Sequence, residues 1–146
     1  MTINERVASI GVVPVIKLNN PERDAASLAK ALCAGGVPIA EVTFRTAGAD
    51  KAIKLMKEAC PDMLVGAGTV LAVEQVDKAI EAGARYVDVE IEAQKQMSKR
   101  VRSAAHENGT IFIRSYHDFE GTDSYEALKA LVEKCKYHGA DIVKLV

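Results

Sequence analysis

A lysine near the end of a short apolar segment is the residue best suited to covalent chemistry in this sequence. Residues 140–146 read ADIVKLV, and their β-branched run predicts a buried strand that carries Lys144 near its end. Burial in an environment of low polarity disfavours the ammonium form of a lysine. The neutral amine can then add to a ketone and form an imine. Lys144 is therefore the predicted nucleophile; the alternative is a strand-end lysine that simply reaches water.

Other polar residues occur where further predicted strands end. In a parallel barrel these carboxyl ends meet at one mouth, where catalytic groups lie. A carboxylate or an imidazole there can move protons, and an arginine can hold a substrate carboxylate. The candidates are Lys17, Glu41 with Arg45, Thr69, Glu90, and Ser115 with His117. For Asp88, Arg114 and Asp118 we expect only solvated or capping positions.

Length and charge limit the classes of protein to which the chain can belong. Its 146 residues, 49% hydrophobic and 27% charged, suit a single α/β domain over residues 1–146. The 19 basic and 20 acidic residues form no block of one sign, so we expect no nucleic-acid or membrane partner. The polar N-terminus and the lack of a long apolar run predict neither signal peptide nor anchor, and hence a cytoplasmic protein.

No metal or cofactor site is predicted. The three cysteines are widely separated within helical patterns, which favours buried reduced thiols at Cys33, Cys60 and Cys135. No Cys/His spacing suits zinc, and both His106 and His138 are expected on the surface near helix ends. Residues 66–68, Gly-Ala-Gly, lack the third glycine of a dinucleotide loop, and we expect these glycines to let a ligand approach the backbone.

Strand and helix patterns alternate along the chain, which is typical of βα units around a parallel sheet. The predicted strands are 12–18, 39–45, 63–70, 86–91, 110–117 and 140–146. The predicted helices are 21–34, 49–59, 73–82, 93–107 and 125–137. The period of about two dozen residues favours a partial TIM barrel of six parallel strands, with an open flavodoxin-like sheet as the alternative. Six strands do not close easily, so unpaired edges predict a homo-oligomer.

Several segments within residues 5–85 occur in the order found in one aldolase family. They are GVVPVI at 11–16, AGG at 34–36, EVTFRT at 41–46, VGAGTV at 65–70 and AGAR at 82–85. This region resembles 2-keto-3-deoxy-6-phosphogluconate (KDPG) aldolase, a class I aldolase. The resemblance implies an acid/base at Glu41, a pyruvate carboxylate held by Arg45 and Thr69, and an imine lysine on the sixth strand.

The segments from residue 86 onward resemble a different family. They are YVDVE at 86–90, IRSYHDFEGT at 113–122 and GADIVK at 139–144. This region is similar to type I 3-dehydroquinate dehydratase. The resemblance implies that His117 is the general acid/base, that Glu90 assists it, and that Lys144 forms the imine.

Neither family's site is complete in this sequence. The dehydratase has an arginine near the end of its third strand, where this chain has Gly68-Thr69. Strands seven and eight, which commonly bind phosphate in such barrels, have no counterpart in this sequence. The joint falls near residues 83–86. The two resemblances indicate a recombined or engineered chimera that is truncated after strand six. In this interpretation residues 1–85 are aldolase-like and residues 86–146 are dehydroquinase-like. The alternative is a natural protein with this junction.

Two functions follow from this sequence. The first is a Schiff-base lyase that acts on a small keto acid or cyclic ketone, with weak or no turnover because an open mouth positions groups loosely. The second is a non-catalytic barrel fragment that self-associates through its open edges.

Overall fold

The computed structural model describes residues 2–93 and 95–146, which form six helices and six strands. The helices are α1 (Ile3–Ile10), α2 (Pro21–Ala34), α3 (Ala49–Ala59), α4 (Val73–Glu81), α5 (Lys95–Glu107) and α6 (Tyr125–Tyr137). The strands are β1 (Val15–Ile16), β2 (Ile39–Thr43), β3 (Leu64–Gly68), β4 (Tyr86–Glu90), β5 (Ile111–Tyr116) and β6 (Ile142–Leu145).

All six strands are parallel and lie in the sheet in the order of the sequence, from β1 to β6. Each strand therefore pairs with the next one along the chain, and β1 and β6 are the two edges. This order confirms the predicted α/β fold with six parallel strands, and the unclosed sheet is compatible with a partial TIM barrel. It contradicts the flavodoxin-like alternative, which requires the strands to be reordered.

The strands alternate between two apolar layers because successive side chains point to opposite faces of a sheet. On β4, Val87 and Val89 pack with helix residues of α2 to α5, whereas Tyr86 belongs to a separate cluster on the inner face. The inner cluster also contains Ile39, Leu64 and Ile113. Polar residues of the same parity as Tyr86 consequently point to the inner face.

Helix α1 closes one end of the inner face and was not predicted, because we treated this segment as a polar terminus. Thr2 and Glu5 form a capping box at its start. Its apolar residues Ile3, Val7 and Ile10 pack against the inner cluster. The spacing of these three residues is that of one helical face.

The first strand is much shorter than the predicted 12–18, and its edge position explains the difference. Pro14 has no N–H to donate and lies just before the strand, while its carbonyl oxygen accepts from Glu41 N at 2.9 Å. Helices α2, α3 and α6 have the predicted bounds, and the other strands are one to three residues shorter than predicted.

The three cysteines are free thiols; Cys135 is buried, as predicted, whereas Cys33 and Cys60 are only half-buried. In the part of the chain that the structure describes, we find no helix with the length and apolar character needed to cross a bilayer.

Candidate active site

Three charged side chains from three strands meet on the inner face of the sheet. Lys144 Nζ on β6 donates to Asp88 Oδ2 on β4 at 2.8 Å, and lies 3.3 and 3.4 Å from the two carboxylate oxygens of Glu41 on β2. The Asp88 and Glu41 side chains are 3% and 6% exposed, and that of Lys144 is 26% exposed. The amine is thus held between two buried carboxylates while part of it still faces solvent.

Glycines on β3 make this meeting possible. The Gly68 backbone passes so close to Glu41 that a Cβ there would lie 2.1 Å from Glu41 Oε1. A Cβ at Gly66 would lie 2.0 Å from the ring of Tyr86, whose hydroxyl donates to Ala40 O at 3.0 Å. We predicted that these glycines admit a ligand, but in this structure Glu41 and Tyr86 occupy the space.

Asp88 was wrongly predicted to be a solvated strand-end residue. It has the same parity as Tyr86 and Glu90 on β4, so its side chain points inward and is buried. One of its oxygens, Oδ2, accepts from Lys144; the other, Oδ1, is buried and accepts no hydrogen bond from any residue that the structure describes. Asp88 therefore belongs to the site and retains a free acceptor there.

The charges around Lys144 reverse the predicted effect of its surroundings. Burial favours the neutral amine, but Asp88 and Glu41 outweigh it and hold the pKa of Lys144 above its usual value. Burial and the Asp88 charge raise the pKa of Glu41, against the opposing effect of Lys144. The prediction that low polarity frees the amine was thus wrong, because it neglected the two carboxylates. Lys144 rests as an ammonium, and the raised pKa of Glu41 makes this carboxylate able to take a proton.

A second cluster links β4 to the end of β5. His117 Nδ1 lies 2.8 Å from Glu90 Oε2, which also accepts from Ser115 Oγ at 3.1 Å. The His117 backbone N–H donates to the other carboxylate oxygen at 3.2 Å. Since Glu90 engages Nδ1, the Nε2 atom of the imidazole is left for proton exchange. The side chains of His117 and Glu90 are only partly buried, so a ligand has access to them.

The strand register explains why the two clusters lie side by side. Glu90 is opposite Ser115 on β5, and Ser115 is opposite Lys144 on β6. These three residues have the same inward parity and lie at the carboxyl ends of their strands. The structure thus brings together Lys144, Glu41, Glu90 and His117, all of which were predicted to be site residues.

Arg45 and Thr69 lie in the segments that follow β2 and β3. Arg45 is exposed and lines a groove with Gln75 and Lys78 of α4, apart from the Lys144 cluster. Thr69 is half-buried, and its φ of 54° places a β-branched residue in the left-handed region. Such backbone strain is concentrated at functional sites. Lys17, another strand-end candidate, is exposed after β1.

Arg114 was wrongly predicted to be a solvated or capping residue, whereas Asp118 is half-buried and makes a local turn contact. The Arg114 side chain points from β5 toward the helical layer and is buried. Its guanidinium donates to Ser98 Oγ at 2.5 Å and to Ile91 O at 2.8 Å. Asp118 Oδ1 accepts from Glu120 N at 2.9 Å. Strand parity again explains the error, since Arg114 alternates with the inward residues Ile113 and Ser115.

An apolar cavity of about 350 Å³ opens beside Lys144, between β1 and β6. Glu41 and Lys144 are its charged lining residues, and Val13, Val15 and Ile142 are among its apolar ones; Val13 and Ile142 also pack against the inner cluster. Within residues 2–93 and 95–146, no group of three potential metal ligands is close enough to bind an ion. The arrangement offers an amine nucleophile, a carboxylate that can take its proton, and space for a small organic molecule.

Two known families match overlapping parts of the chain. Residues 3–106 match the family described as KDPG and KHG aldolase, and residues 68–146 match type I 3-dehydroquinase. Among curated proteins, the 2-dehydro-3-deoxy-phosphogluconate aldolase of Treponema pallidum is 48% identical over 87 residues, which are 60% of this chain and 41% of that protein. The chain thus spans about two fifths of the length of this relative.

Solved structures of both families share the fold. A KDPG aldolase from Legionella pneumophila, with pyruvate captured as a covalent carbinolamine, superposes with a TM-score of 0.71 at 24% identity, covering 99% of this chain and 86% of that one. The 3-dehydroquinate dehydratase of Enterococcus faecalis gives 0.78 at 17% identity, covering 91% and 64%. By these matches, the chain belongs to the KDPG and KHG aldolase family through residues 3–106 and to the type I 3-dehydroquinase family through residues 68–146.

Proposed function

We propose that the protein is a Schiff-base lyase that acts on a small 2-keto acid. The observation that carries this proposal is the contact of Lys144 Nζ with both Asp88 and Glu41 at the mouth of the inner face. Covalent capture of pyruvate by a relative of this fold supports a 2-keto acid as the substrate class. In this role Lys144 is the nucleophile and Glu41 is the acid/base.

The first step requires the ammonium of Lys144 to lose a proton. Glu41 can accept this proton, because burial and the neighbouring Asp88 charge raise its pKa. The freed amine adds to the substrate ketone and forms a C–N bond, and the resulting carbinolamine loses its oxygen as water when Glu41 returns the proton. Cleavage then needs a substrate hydroxyl on the second carbon from the iminium: that hydroxyl gives its proton to Glu41, the C–C bond breaks to release an aldehyde, and its electrons pass to the iminium as an enamine. Glu41 returns the proton to the enamine carbon, and water then releases the product and Lys144.

Arg45 and Thr69 are proposed to orient the substrate carboxylate, as the aldolase resemblance implies. Thr69 follows β3 directly, at the same end of the sheet as the Lys144 cluster, and its strained backbone supports a ligand-holding role. Arg45 is exposed and carries no ion pair in the part of the chain that the structure describes. A substrate carboxylate near the mouth could therefore recruit its guanidinium.

A second candidate substrate is a cyclic ketone such as 3-dehydroquinate, and the Glu90–His117 pair supports it. Glu90 fixes the orientation of the imidazole through Nδ1, so that Nε2 can remove a proton next to an iminium carbon. In a dehydration, that proton and a hydroxyl group leave together as water. His117 would be the acid/base in this reaction, and Lys144 would again form the imine.

Borohydride trapping tests both substrates. The protein is incubated with pyruvate or with 3-dehydroquinate, reduced, digested, and analysed by mass spectrometry for a modified lysine. We expect a stable adduct on Lys144, with loss of the adduct in Lys144→Gln. Lys17→Gln is the matched control, because Lys17 also lies near a strand end but is exposed.

The outcome separates the alternatives. An adduct that forms with pyruvate but not with 3-dehydroquinate supports the aldolase-type substrate. An adduct with 3-dehydroquinate, together with dehydration that is lost when His117 is replaced, supports the dehydratase-type substrate. Equal labelling of Lys17 and Lys144 would indicate nonspecific reaction and contradict the proposal. Absence of any adduct would favour the non-catalytic fragment.

We also propose that turnover is weak, because the cavity beside Lys144 is open between β1 and β6 and positions a substrate loosely. The two family matches meet on residues 68–106, which supports a chimera within one domain, aldolase-like over residues 1–85 and dehydroquinase-like over residues 86–146. We further propose a cytoplasmic protein that forms homo-oligomers through β1 and β6.

A further inference from the structure

A groove between α5 and the end of α6 has an unbalanced positive charge. It has a volume of about 420 Å³, and its charged or titratable lining residues are Lys95, Lys99, Arg102 and His138, with tyrosine at 137. None of its lining residues is an aspartate or a glutamate. Within residues 2–93 and 95–146, none of the ion pairs includes Lys95, Lys99 or Arg102.

A neighbouring groove shows what a neutral surface of this protein looks like. The groove between α3 and α4 has three cationic side chains too, in this case lysines at positions 51, 54 and 78. There, however, Asp50, Glu58 and Glu81 lie among them. The absence of carboxylates in the α5–α6 groove is therefore not a general property of the helical layer.

The cationic groove is built on fixed groups. Arg102 lies against Gly139, where a Cβ would be 2.3 Å from its Nη1, and this nitrogen is 3.4 Å from His138 O. Beneath the groove, the buried Arg114 donates to Ser98, which is itself a lining residue. Arg114 Nε is buried and has no hydrogen-bond partner in the part of the chain that the structure describes. The floor of the groove thus contributes a further positive charge.

The pKa of His138 is sensitive to the positive charge of this groove. Its partial burial, together with the charges of Arg114, Lys95, Lys134 and Arg102, lowers its pKa. An anion in the groove would oppose these cations and raise that pKa. His106, by contrast, already has a partner, since its Nε2 lies 2.9 Å from Asp141 Oδ2.

We propose that the α5–α6 groove binds a small phosphate-bearing molecule. Two or more unpaired cations around a hollow of this size suit a compact dianion, because charge-assisted hydrogen bonds to phosphate are among the stronger polar contacts in proteins. The groove lies on the outer helical layer, whereas the Lys144 cluster lies on the inner face of the sheet. Binding there is therefore separate from the imine chemistry.

Histidine NMR with inorganic pyrophosphate as the probe tests this site at constant ionic strength. We expect a saturable shift of the His138 ring signals and an increase in the His138 pKa, with little change at His106. The variant Lys99→Gln/Arg102→Gln should weaken pyrophosphate binding by about tenfold or more, because it removes two charged donors. The matched control is Lys51→Gln/Lys54→Gln in the α3–α4 groove, for which we expect a change of about twofold or less.

Several results would overturn the assignment. If both double variants weakened pyrophosphate binding equally, the binding would be nonspecific attraction to surface cations. No saturable shift of His138 would show that the groove binds no phosphate. Binding of polyglutamate without binding of pyrophosphate would indicate an acidic protein partner in place of a small phosphate ester. Failure of borohydride trapping at Lys144 leaves this proposal unaffected.

Discussion

The proton on Lys144 is controlled at the residue scale by Asp88. Because Asp88 stabilises the ammonium, Asp88→Asn should lower the pKa of Lys144. The neutral amine then exists at lower pH, so the midpoint of borohydride trapping with pyruvate should move in the acidic direction. The trapping rate, measured by mass spectrometry from about pH 6 to about pH 11, checks this shift.

Asp77→Asn is the control for this experiment, because it removes the same charge from an exposed position on α4. Its trapping profile should match that of the unmodified protein. A profile for Asp88→Asn that moves toward higher pH, or does not move, would show that Asp88 does not hold the proton of Lys144.

The sequence identified most of the site residues but not their electrostatics. Glu41, Glu90, His117 and Lys144 were predicted, and the structure places them in two adjacent clusters. Asp88 could have been predicted from its parity, since it lies two residues before Glu90 on the same strand. The raised pKa of Lys144 could not, because it depends on which carboxylates approach from β2 and β4.

At the scale of elements, β3 controls the position of Glu41 through Gly68. Gly68→Ala places a Cβ 2.1 Å from Glu41 Oε1 and 2.7 Å from its Cδ, so the carboxylate must leave its present position beside Lys144. We expect borohydride trapping at Lys144 to fall by about tenfold or more, since small displacements of catalytic groups are costly. Trapping rates and circular dichroism together separate this effect from unfolding.

The matched control is Gly121→Ala, because a Cβ at Gly121 meets nothing within 4 Å. This variant should trap pyruvate at the rate of the unmodified protein. If Gly68→Ala retained full trapping with an intact fold, Glu41 would not be required next to the amine.

The stability of α1 depends on its capping box. Thr2→Ala removes the hydroxyl that accepts from Glu5 N, and should reduce the free energy of unfolding by about 1 kcal/mol. Urea denaturation measures this change, with Ser103→Ala at an exposed position of α5 as the control. A loss no larger than that of the control would show that the capping box contributes little to the stability of α1.

Helix boundaries were easier to predict than strand boundaries. The bounds of α3 and α6 follow from local signals such as the N-cap at Ser124, whose side chain accepts from Ala127 N. The extent of a strand depends instead on its neighbour, and β1 is short because only β2 pairs with it. Helix α1 was missed although Thr2, Glu5 and the spacing of Ile3, Val7 and Ile10 all indicated it.

At the scale of the whole molecule, the two open edges predict self-association. Val15 on β1 is 59% exposed and Leu145 on β6 is 37% exposed, and both strands have a free backbone edge. Sedimentation velocity should therefore show larger species as the protein concentration rises. Val15→Lys and Leu145→Lys should shift the population toward monomer, because edge charges oppose strand pairing.

Leu71→Lys is the control, because Leu71 is 64% exposed but lies in the segment between β3 and α4. It should leave the oligomer distribution unchanged. A monomer at every concentration would contradict the prediction, and equal effects of all three lysine variants would point to nonspecific apolar contacts.

The global layout followed from the alternation of strand and helix patterns, which predicted a sequential parallel sheet. Local patterns carry no information about closure, however, because closure depends on the tilt and stagger of all strands at once. Nor did they show the cationic groove, since Lys95, Lys99 and His138 meet only when α6 packs beside α5.

The two glycines of β3 limit where the protein can be changed to alter its substrate specificity. Glu41 reaches Lys144 across a strand that has no inward side chain at Gly66 or Gly68, so added bulk on β3 displaces the groups that react. Val13, Val15 and Ile142 border the hollow next to the amine from the opposite side. Libraries that seek new ketones should therefore randomise these three positions and keep both glycines.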